Sequence, residues 1–207
     1  MIEVQKIPVG VLDTNCYLVT DVETNEIAIV DPGAVSSKVQ KFVDSHKENI
    51  KYILLTHGHF DHIAYVNYIQ SQTNAKVVIS KEDEPMLKDS MENLSFPFMG
   101  RTITPIEADI IVKDNDTIPF GNGAFTFIST PGHTAGSGCF LIENHIFTGD
   151  TLMKLSMGRT DFPNGSAVQM KNSLKRLCQL SDDYKVYPGH GALSDMKYEK
   201  MYNPYVR

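Results

Sequence analysis

The stretch Thr56-His57-Gly58-His59-Phe60-Asp61-His62 follows directly after the apolar run Tyr52-Ile53-Leu54-Leu55. Imidazole and carboxylate groups are the usual protein ligands of divalent transition metals. The spacing separates the ligands into two sets, because His57 and His59 can chelate one ion from a loop, while Asp61 and His62 just beyond can reach a second. We interpret this stretch as part of a metal site at the end of a strand.

Three further segments share one pattern, in which a short apolar strand ends in a turn that contains Gly or Pro and carries one His or Asp. These turns are Thr130-Pro131-Gly132-His133-Thr134, Gly149-Asp150-Thr151 and Pro188-Gly189-His190-Gly191. One such turn is ordinary, but four in one chain indicate that the strands deliver their side chains to a common rim. Only His46 and His145 of the seven histidines lie outside this set. We expect His46 on a solvated helix and His145 in a hairpin turn.

The order of these motifs resembles the metallo-β-lactamase superfamily, and within it the small glyoxalase II-like (hydroxyacylglutathione hydrolase-like) hydrolases. The motifs are Thr-His-x-His-x-Asp-His, Thr-Pro-Gly-His-Thr-x-Gly-Ser, Phe-Thr-Gly-Asp-Thr-Leu and Pro-Gly-His-Gly, and they span Asn15 to Gly191. The resemblance implies an α/β fold of the four-layer αββα sandwich type, with two mixed β-sheets flanked by helices. A chain of 207 residues can form one large domain or two small ones. Because the motifs of one site fall at both ends, we predict a single metallo-β-lactamase-like domain over residues 1–207.

The resemblance also implies a ligand set. His57, His59 and His133 would hold a first metal, Asp61, His62 and His190 a second, and Asp150 would bridge the two. We therefore expect two divalent transition metals per chain, zinc first, with iron or manganese as alternatives. Two ions about 3.5–4 Å apart can share a hydroxide that attacks an acyl carbon. Asp61 and Asp150 are accordingly assigned as the catalytic carboxylates. The sequence has no Gly-x-Ser-x-Gly elbow, which fits a reaction without a protein nucleophile.

The segment Met157-Gly158-Arg159-Thr160-Asp161-Phe162-Pro163 has two interpretations. It is a turn held by an Arg159–Asp161 contact, or it places Arg159 at the site edge as a substrate-binding residue, where its fork of donors matches a carboxylate such as that of glutathione. The longer glyoxalase II enzymes have a Gly-Lys-Phe-type segment here and a C-terminal helical domain that helps to bind glutathione. In this chain sixteen residues follow Gly191, with room for one short helix over residues 195–202. We therefore expect weak glutathione binding.

These features predict a metal-dependent hydrolase of a small acyl thioester such as S-lactoylglutathione, acting through a metal-bridging hydroxide. The alternative is a persulfide dioxygenase of the same superfamily, whose Gly-Arg-Thr-Asp-Phe segment is similar and whose single iron would be held by His57, His133 and Asp150. The intact second ligand set and the Thr-Leu after Asp150 favour hydrolysis. A purely structural metal site is disfavoured, because structural zinc sites are generally mononuclear and rich in cysteine.

Composition narrows the possible partners. A net charge of −6 argues against a nucleic-acid-binding surface. No apolar run approaches the roughly 20 residues that span a bilayer. The N-terminus lacks the pattern of a signal peptide. The number of cysteines is odd, and Cys16 and Cys139 lie in apolar runs, which fits a reducing compartment. We expect a cytoplasmic enzyme whose partner is a small-molecule thioester, without nucleic acid or membrane, and leave its oligomeric state open.

Periodicity predicts the elements that carry the motifs. Strands are predicted at residues 2–6, 16–20, 26–30, 52–55, 76–79, 110–112, 125–128, 139–142, 145–147 and 185–187. Helices are predicted at residues 36–47, 61–72 and 166–180, the last burying Val168, Leu174, Leu177 and Leu180. Residues 89–105 are irregular, and form either a loop against a sheet edge or a flap over the metal site.

Overall fold

The computed structural model describes residues 1–206. The first of its two large sheets contains strands β1 (Ile2–Val9), β2 (Thr14–Asp21), β3 (Ile27–Val30), β4 (Ile50–Leu54), β5 (Lys76–Ser80) and β6 (Ile110–Val112), in that spatial order. The pairs from β1 to β3 are antiparallel, whereas the pairs from β3 to β6 are parallel. Parallel neighbours need long crossovers, and those after β3 and β4 contain helices.

The second sheet contains β7 (Thr117–Phe120), β8 (Gly123–Ser129), β9 (Gly138–Ile142) and β10 (His145–Gly149). A small hairpin of β11 (Leu152–Met153) and β12 (Ser156–Met157) follows, before β13 (Lys185–Pro188) and β14 (Ser194–Asp195) complete the sheet. The spatial order is β14-β13-β10-β9-β8-β7. Within residues 1–206, β10 and β13 are the one parallel pair of this sheet, so the ends of β8, β10 and β13 point to one edge of the sheet.

The helices cover the outer faces of both sheets. They are α1 (Ser37–His46), α2 (Phe60–Ile63), α3 (Val66–Gln72), α4 (Ser95–Met99), α5 (Ala167–Leu177) and α6 (Met196–Tyr202). Val39 of α1 and Ile69 of α3 bury against the first sheet, and Leu174 of α5 buries against the second. A third apolar cluster, which includes Tyr17 and Phe147, fills the space between the sheets. Burial of such side chains, at about 1.5–3 kcal/mol each, holds the layers together. The expected αββα sandwich is confirmed.

Three local predictions need correction. The predicted helix 61–72 is broken into α2 and α3, because the chain turns at Tyr65, whose N–H donates to the carbonyl of Pro32 at 2.9 Å. Val168 is 74% exposed rather than buried. It precedes the buried Met170 by two positions, which places it on the opposite side of the helix. His145 follows the Glu143-Asn144 turn but is the first residue of β10, where its buried ring is hydrogen-bonded to the hydroxyl of Tyr187.

The irregular segment 89–105 contains α4, which packs beside the metal-binding loop. The Phe98 ring lies 5.9 Å from that of Phe60 and 5.8 Å from that of Phe162, centroid to centroid. The backbone N–H of Phe60 also donates to the carbonyl of Asn93 at 2.8 Å. This placement favours the flap over the sheet-edge loop. No helix among residues 1–206 is long and apolar enough to cross a membrane.

Candidate metal centre

The seven candidate ligands converge at one edge of the sandwich. His57, His59, Asp61 and His62 follow β4; His133 follows β8, Asp150 follows β10 and His190 follows β13. Their ligand atoms fall into groups in which every member lies within 4.8 Å of the others. Two of the three groups are His57, His59 and His133, and Asp61, His62 and His190; the third joins His57, His62 and Asp150. The structure therefore brings together both ligand sets that the sequence motifs imply.

Asp150 lies between the two sets. Its Oδ2 is 3.5 Å from Nε2 of His133 and 3.6 Å from Nε2 of His190. Its Oδ1 is 3.6 Å from Nε2 of His62. One carboxylate thus faces ligands of both sets, which is the position that a bridging ligand requires.

Unpaired polar atoms show that the centre fits a metal. Four buried side-chain atoms in residues 1–206 have no hydrogen-bond partner, namely Nε2 of His57, His59 and His62 and Oδ1 of Asp150. A buried polar atom without a partner costs about 1–3 kcal/mol, so such atoms are rare and need an explanation. All four belong to predicted ligands, and divalent cations bound among them would satisfy Nε2 of His57 and His62 and Oδ1 of Asp150; His59 turns its Nδ1 toward Nε2 of His133, at 2.9 Å.

The opposite nitrogen of several rings is held by a fixed partner. Nδ1 of His62 lies 3.0 Å from Oδ2 of Asp31, Nδ1 of His133 lies 2.7 Å from the carbonyl oxygen of Arg159, and Nδ1 of His190 lies 3.1 Å from that of Leu12. Each partner accepts a hydrogen bond, so Nδ1 carries a proton and Nε2 is the nitrogen that faces the cluster and is free to bind a metal once deprotonated. Such outer partners fix the tautomer and orientation of metal-binding histidines.

Asp31 is a supporting residue that the sequence analysis missed. Its buried carboxylate accepts hydrogen bonds from the backbone N–H of Thr56 at 2.9 Å and from the Thr56 hydroxyl at 2.7 Å, besides the contact with His62. A signal was present, because Asp31-Pro32-Gly33 follows β3 as the other motif turns follow their strands. Gly33 is required there, since a Cβ atom at this position would lie 1.3 Å from the carbonyl oxygen of Asp61.

Asp83 is a second missed residue, and it joins two ligand loops. One carboxylate oxygen accepts hydrogen bonds from the N–H of Gly58 at 2.9 Å and from the hydroxyl of Thr134 at 2.7 Å. The other accepts from the N–H of Gly136 at 2.7 Å. Burial raises the pKa of Asp83, against the opposing effect of these hydrogen bonds. In the sequence it stands in the charged run Lys81-Glu82-Asp83-Glu84, which gives no sign of a buried role.

The hairpin between β1 and β2 supports the second ligand set. The hydroxyl of Thr14 donates to Oδ2 of Asp61 at 2.9 Å. The side-chain amide of Asn15 donates to the carbonyl oxygens of Pro188 at 2.9 Å and Gly191 at 3.0 Å, on either side of His190. Residues near the start of the chain therefore position ligands that come from its middle and its end.

The two sets differ in charge. Burial and the neighbouring histidines lower the pKa of His57 well below its ordinary value, and burial chiefly lowers that of His59 to about 3. Burial has the same tendency at His62, but the carboxylates of Asp61 and Asp31 outweigh it and raise the pKa to about 10. Without a metal, His57 and His59 of the first set are therefore neutral, whereas His62 of the second set holds a proton among its carboxylates.

A cavity of about 290 Å³ lies over the ligands. Its walls are largely apolar and include Leu12, Met157, Phe98 and Phe162, with Arg159 also lining it. The Nε and Nη2 groups of Arg159 form a bidentate ion pair with Asp161, both at 2.7 Å, and its guanidinium lies 4.0 Å from the centre of the Phe162 ring. The Arg159–Asp161 turn is thus present, and it places the guanidinium at the cavity with Nη1 outside that pair.

The family model described as the metallo-beta-lactamase superfamily matches residues 9–190. The chain belongs to the metallo-β-lactamase superfamily. Among its relatives is the hydroxyacylglutathione hydrolase GloC of Haemophilus influenzae, which is 30% identical over 207 residues, covering 98% of this chain and 96% of the relative.

Solved structures show the same fold. The crystal structure of the B3 metallo-beta-lactamase BLEG-1 has a TM-score of 0.91 at 30% identity and covers 100% of this chain and 99% of its own. TTHA1623 in a di-iron-bound form has a TM-score of 0.83 at 28% identity, covering 97% and 99%. ETHE1 from Myxococcus xanthus has a TM-score of 0.79 at 30% identity, covering 98% and 83%. The family and the fold are thus shared with proteins whose names indicate different activities.

Proposed function

We propose that the protein is a binuclear metallohydrolase that cleaves small acyl thioesters, with S-lactoylglutathione as the first substrate to test. The observation that carries this proposal is the arrangement of Asp150 between two complete ligand sets, beneath an apolar cavity. The relative named hydroxyacylglutathione hydrolase supports the choice of substrate class. Zinc is the proposed metal, and iron or manganese are the alternatives, one of which the di-iron form of TTHA1623 illustrates.

Divalent ions held by the two sets would polarise the acyl carbonyl and lower the pKa of a shared water. The protein groups do the positioning. Asp150 faces both sets, Thr14 holds the carboxylate of Asp61, and Asp31 holds His62 in a fixed orientation. The leucine, methionine and phenylalanine side chains of the cavity exclude water from the rest of the substrate.

The protein's own nucleophiles do not take part in this scheme. The cavity over the ligands is lined by neither serine nor cysteine among residues 1–206. Burial raises the pKa of the Cys139 thiol to about 12 and raises that of Cys16 as well. Since the thiolate is the reactive form of cysteine, both side chains are unreactive core residues. Attack on the acyl carbon therefore falls to water.

Arg159 is proposed to bind the thiol portion of the substrate. Its position at the cavity and the Nη1 group outside the pair with Asp161 allow a charge-assisted contact with a carboxylate. The internal ion pair already engages two of its nitrogens, which is a further reason to expect weak binding of glutathione derivatives.

The competing function is that of a persulfide dioxygenase, and we retain it as the alternative because the structure is similar to that of ETHE1. It would use one iron at His57, His133 and Asp150. The second ligand group, Asp61, His62 and His190, favours two ions. A single iron at the dioxygenase ligands would leave this group, with its unpaired Nε2 of His62, without a role.

We also propose that residues 1–207 form one domain, because ligands from both halves of the chain meet in one site and side chains of both sheets share one apolar cluster.

We propose a cytoplasmic location as well, because a reducing compartment suits the three cysteines, which are all free.

One assay panel separates the candidate functions. Zinc-loaded and iron-loaded protein is given S-lactoylglutathione, glutathione persulfide and a chromogenic β-lactam, while thiol release, oxygen uptake and ring opening are followed. Thiol release from the thioester without oxygen uptake is expected. Oxygen uptake on the persulfide with no thiol release from any thioester would replace the hydrolase by the dioxygenase.

A further inference from the structure

A second and larger cavity, of about 620 Å³, adjoins the one over the ligands. Leu12, Phe60 and Asp61 line both cavities. The rest of its wall comes from the tip of the β1–β2 hairpin, the loop after β3, the turn between α2 and α3, and the segment after α4. Its volume lies within the range of about 300–1,000 Å³ that is usual for small-molecule sites.

The wall of this cavity is mostly apolar. Side chains that line it include Val9, Val35, Met99, Ile103 and Ile106. Two apolar side chains at its edge lie in solvent: Val11 is 96% exposed and Val35 is 77% exposed. Apolar groups exposed around a concave surface mark a binding site more often than scattered ones do.

The polar side chains of the wall are engaged elsewhere or lie in water. The hydroxyls of Tyr65 and Tyr68 are both hydrogen-bonded to Gln40 of α1. The side-chain amide of Asn67 donates to the carbonyl oxygens of Thr104 at 2.9 Å and Pro105 at 3.3 Å. Arg101 also lines the cavity and is exposed to solvent. The cavity thus offers contact area with few free donors, which suits a hydrocarbon chain better than a sugar or a nucleotide.

We propose that this cavity binds the acyl chain of the substrate, while the thiol portion lies in the smaller cavity toward Arg159. The proposal rests on the proposed thioester hydrolysis and adds the substrate class, a linear apolar acyl group longer than lactoyl. The proposal is supported by the contact between the ligands and the larger cavity, because Asp61 belongs to the second ligand set and also lines that cavity. A chain attached to a carbonyl at the ligands can therefore extend past Leu12 and Phe60 into the larger cavity.

The first test measures binding without turnover. Acetate, butyrate, hexanoate and octanoate are titrated into zinc-loaded protein by calorimetry, since each carboxylate is the acyl product of the corresponding thioester. Affinity is expected to rise by about twofold to fourfold for each added methylene, the factor that corresponds to burial of part or all of a CH₂ group. Equal affinities for acetate and octanoate would overturn the proposal.

Two variants of one residue type give a matched control. Val35 lines the cavity, whereas Val168 lies on α5 and is similarly exposed, at 77% and 74% respectively. Val35→Trp narrows the rim of the cavity with a larger side chain and is expected to weaken octanoate binding about tenfold or more, the equivalent of losing two or more buried methylenes. Val168→Trp is expected to leave octanoate binding unchanged. Thr102→Trp narrows the rim at another point and repeats the test.

The same variants are then assayed on acetyl and octanoyl thioesters of one thiol. The ratio of kcat/KM for octanoyl over acetyl should exceed one in the parent protein and fall in Val35→Trp but not in Val168→Trp. Chain-length-dependent binding with no thiol release from any thioester would refute the proposed function and leave the chain site standing. Thiol release with a flat chain-length profile, or equal effects of the two tryptophan variants, would refute the chain site alone.

Discussion

Replacing Asp83 by asparagine tests whether the ligand loops are held as the structure indicates. The Asp83 carboxylate is fully buried and accepts hydrogen bonds from Gly58, Thr134 and Gly136. Gly58 stands between His57 and His59, and Thr134 follows His133, so one side chain ties together the loops of all three ligands in the first set. Asparagine keeps the shape but replaces one acceptor oxygen by an NH₂ group.

The expected loss of stability follows from those contacts. The amide oxygen of asparagine can keep the two donors of Gly58 and Thr134, which places its NH₂ group against the N–H of Gly136. One hydrogen bond to a charged group, about 1.5–3 kcal/mol, is lost and two donors then face each other. We expect the free energy of unfolding to fall by about 2–4 kcal/mol, which is within the range known for broken buried networks.

The measurement is urea unfolding of metal-free protein at about pH 8, followed by zinc titration of the folded variant. Asp116→Asn is the matched control, because Asp116 is exposed and its contact with the Lys113 N–H is a surface one, so a change of about 0.5 kcal/mol or less is expected. The affinity of the first ligand set should also fall in Asp83→Asn. Equal stability of the two variants, with unchanged zinc affinity, would refute the assigned role.

Three further predictions concern the centre itself. Asp150→Ala should lower the metal content and abolish thiol release, since the residue faces both sets, whereas His46→Ala should change neither; activity retained in Asp150→Ala would place the site elsewhere. Zinc affinity of the second set should fall between about pH 8 and pH 6, because the pKa of His62 is about 10 and its proton must leave before a metal binds. The affinity of the first set should depend less steeply on pH over that window, since the pKa of His57 is lowered well below its ordinary value and that of His59 is about 3, so neither ring holds a proton there; calorimetry showing the same pH slope for both sets would contradict this charge difference. Arg159→Ala should lower kcat/KM on S-lactoylglutathione, with KM affected more than kcat, and lysine should not restore it, because lysine lacks the fork of donors; unchanged kinetics would leave Arg159 a structural turn residue.

The candidate ligands could be found from the sequence because each lies in a short motif after a strand. The spacing of His57, His59, Asp61 and His62 is local, and the Gly or Pro turns before His133, Asp150 and His190 are local too. Ten strands could be predicted because alternation and apolar runs are also local properties. Strand β7 was not predicted from the sequence, since Pro119 interrupts its alternating pattern.

The supporting residues depend on contacts between distant parts of the chain. Asp83 and Gly136 are 53 positions apart, and Asn15 and Pro188 are 173 apart, so no local pattern reveals either pair. Tertiary packing likewise decides that the predicted helix breaks at Tyr65. Asp31 is different, because its turn has the same pattern as the motif turns and could have been included. The larger cavity is formed by four separated segments and has no sequence signature.

Metal content measured together with activity tests the central claim most directly. Protein stripped with a chelator is titrated with zinc, while elemental analysis gives the metal bound per chain and thiol release from S-lactoylglutathione gives the rate. The two ligand sets around Asp150 predict that activity rises until two metals are bound per chain. A ratio that stays at one after reconstitution with zinc or iron, together with oxygen uptake on glutathione persulfide, would contradict the binuclear hydrolase.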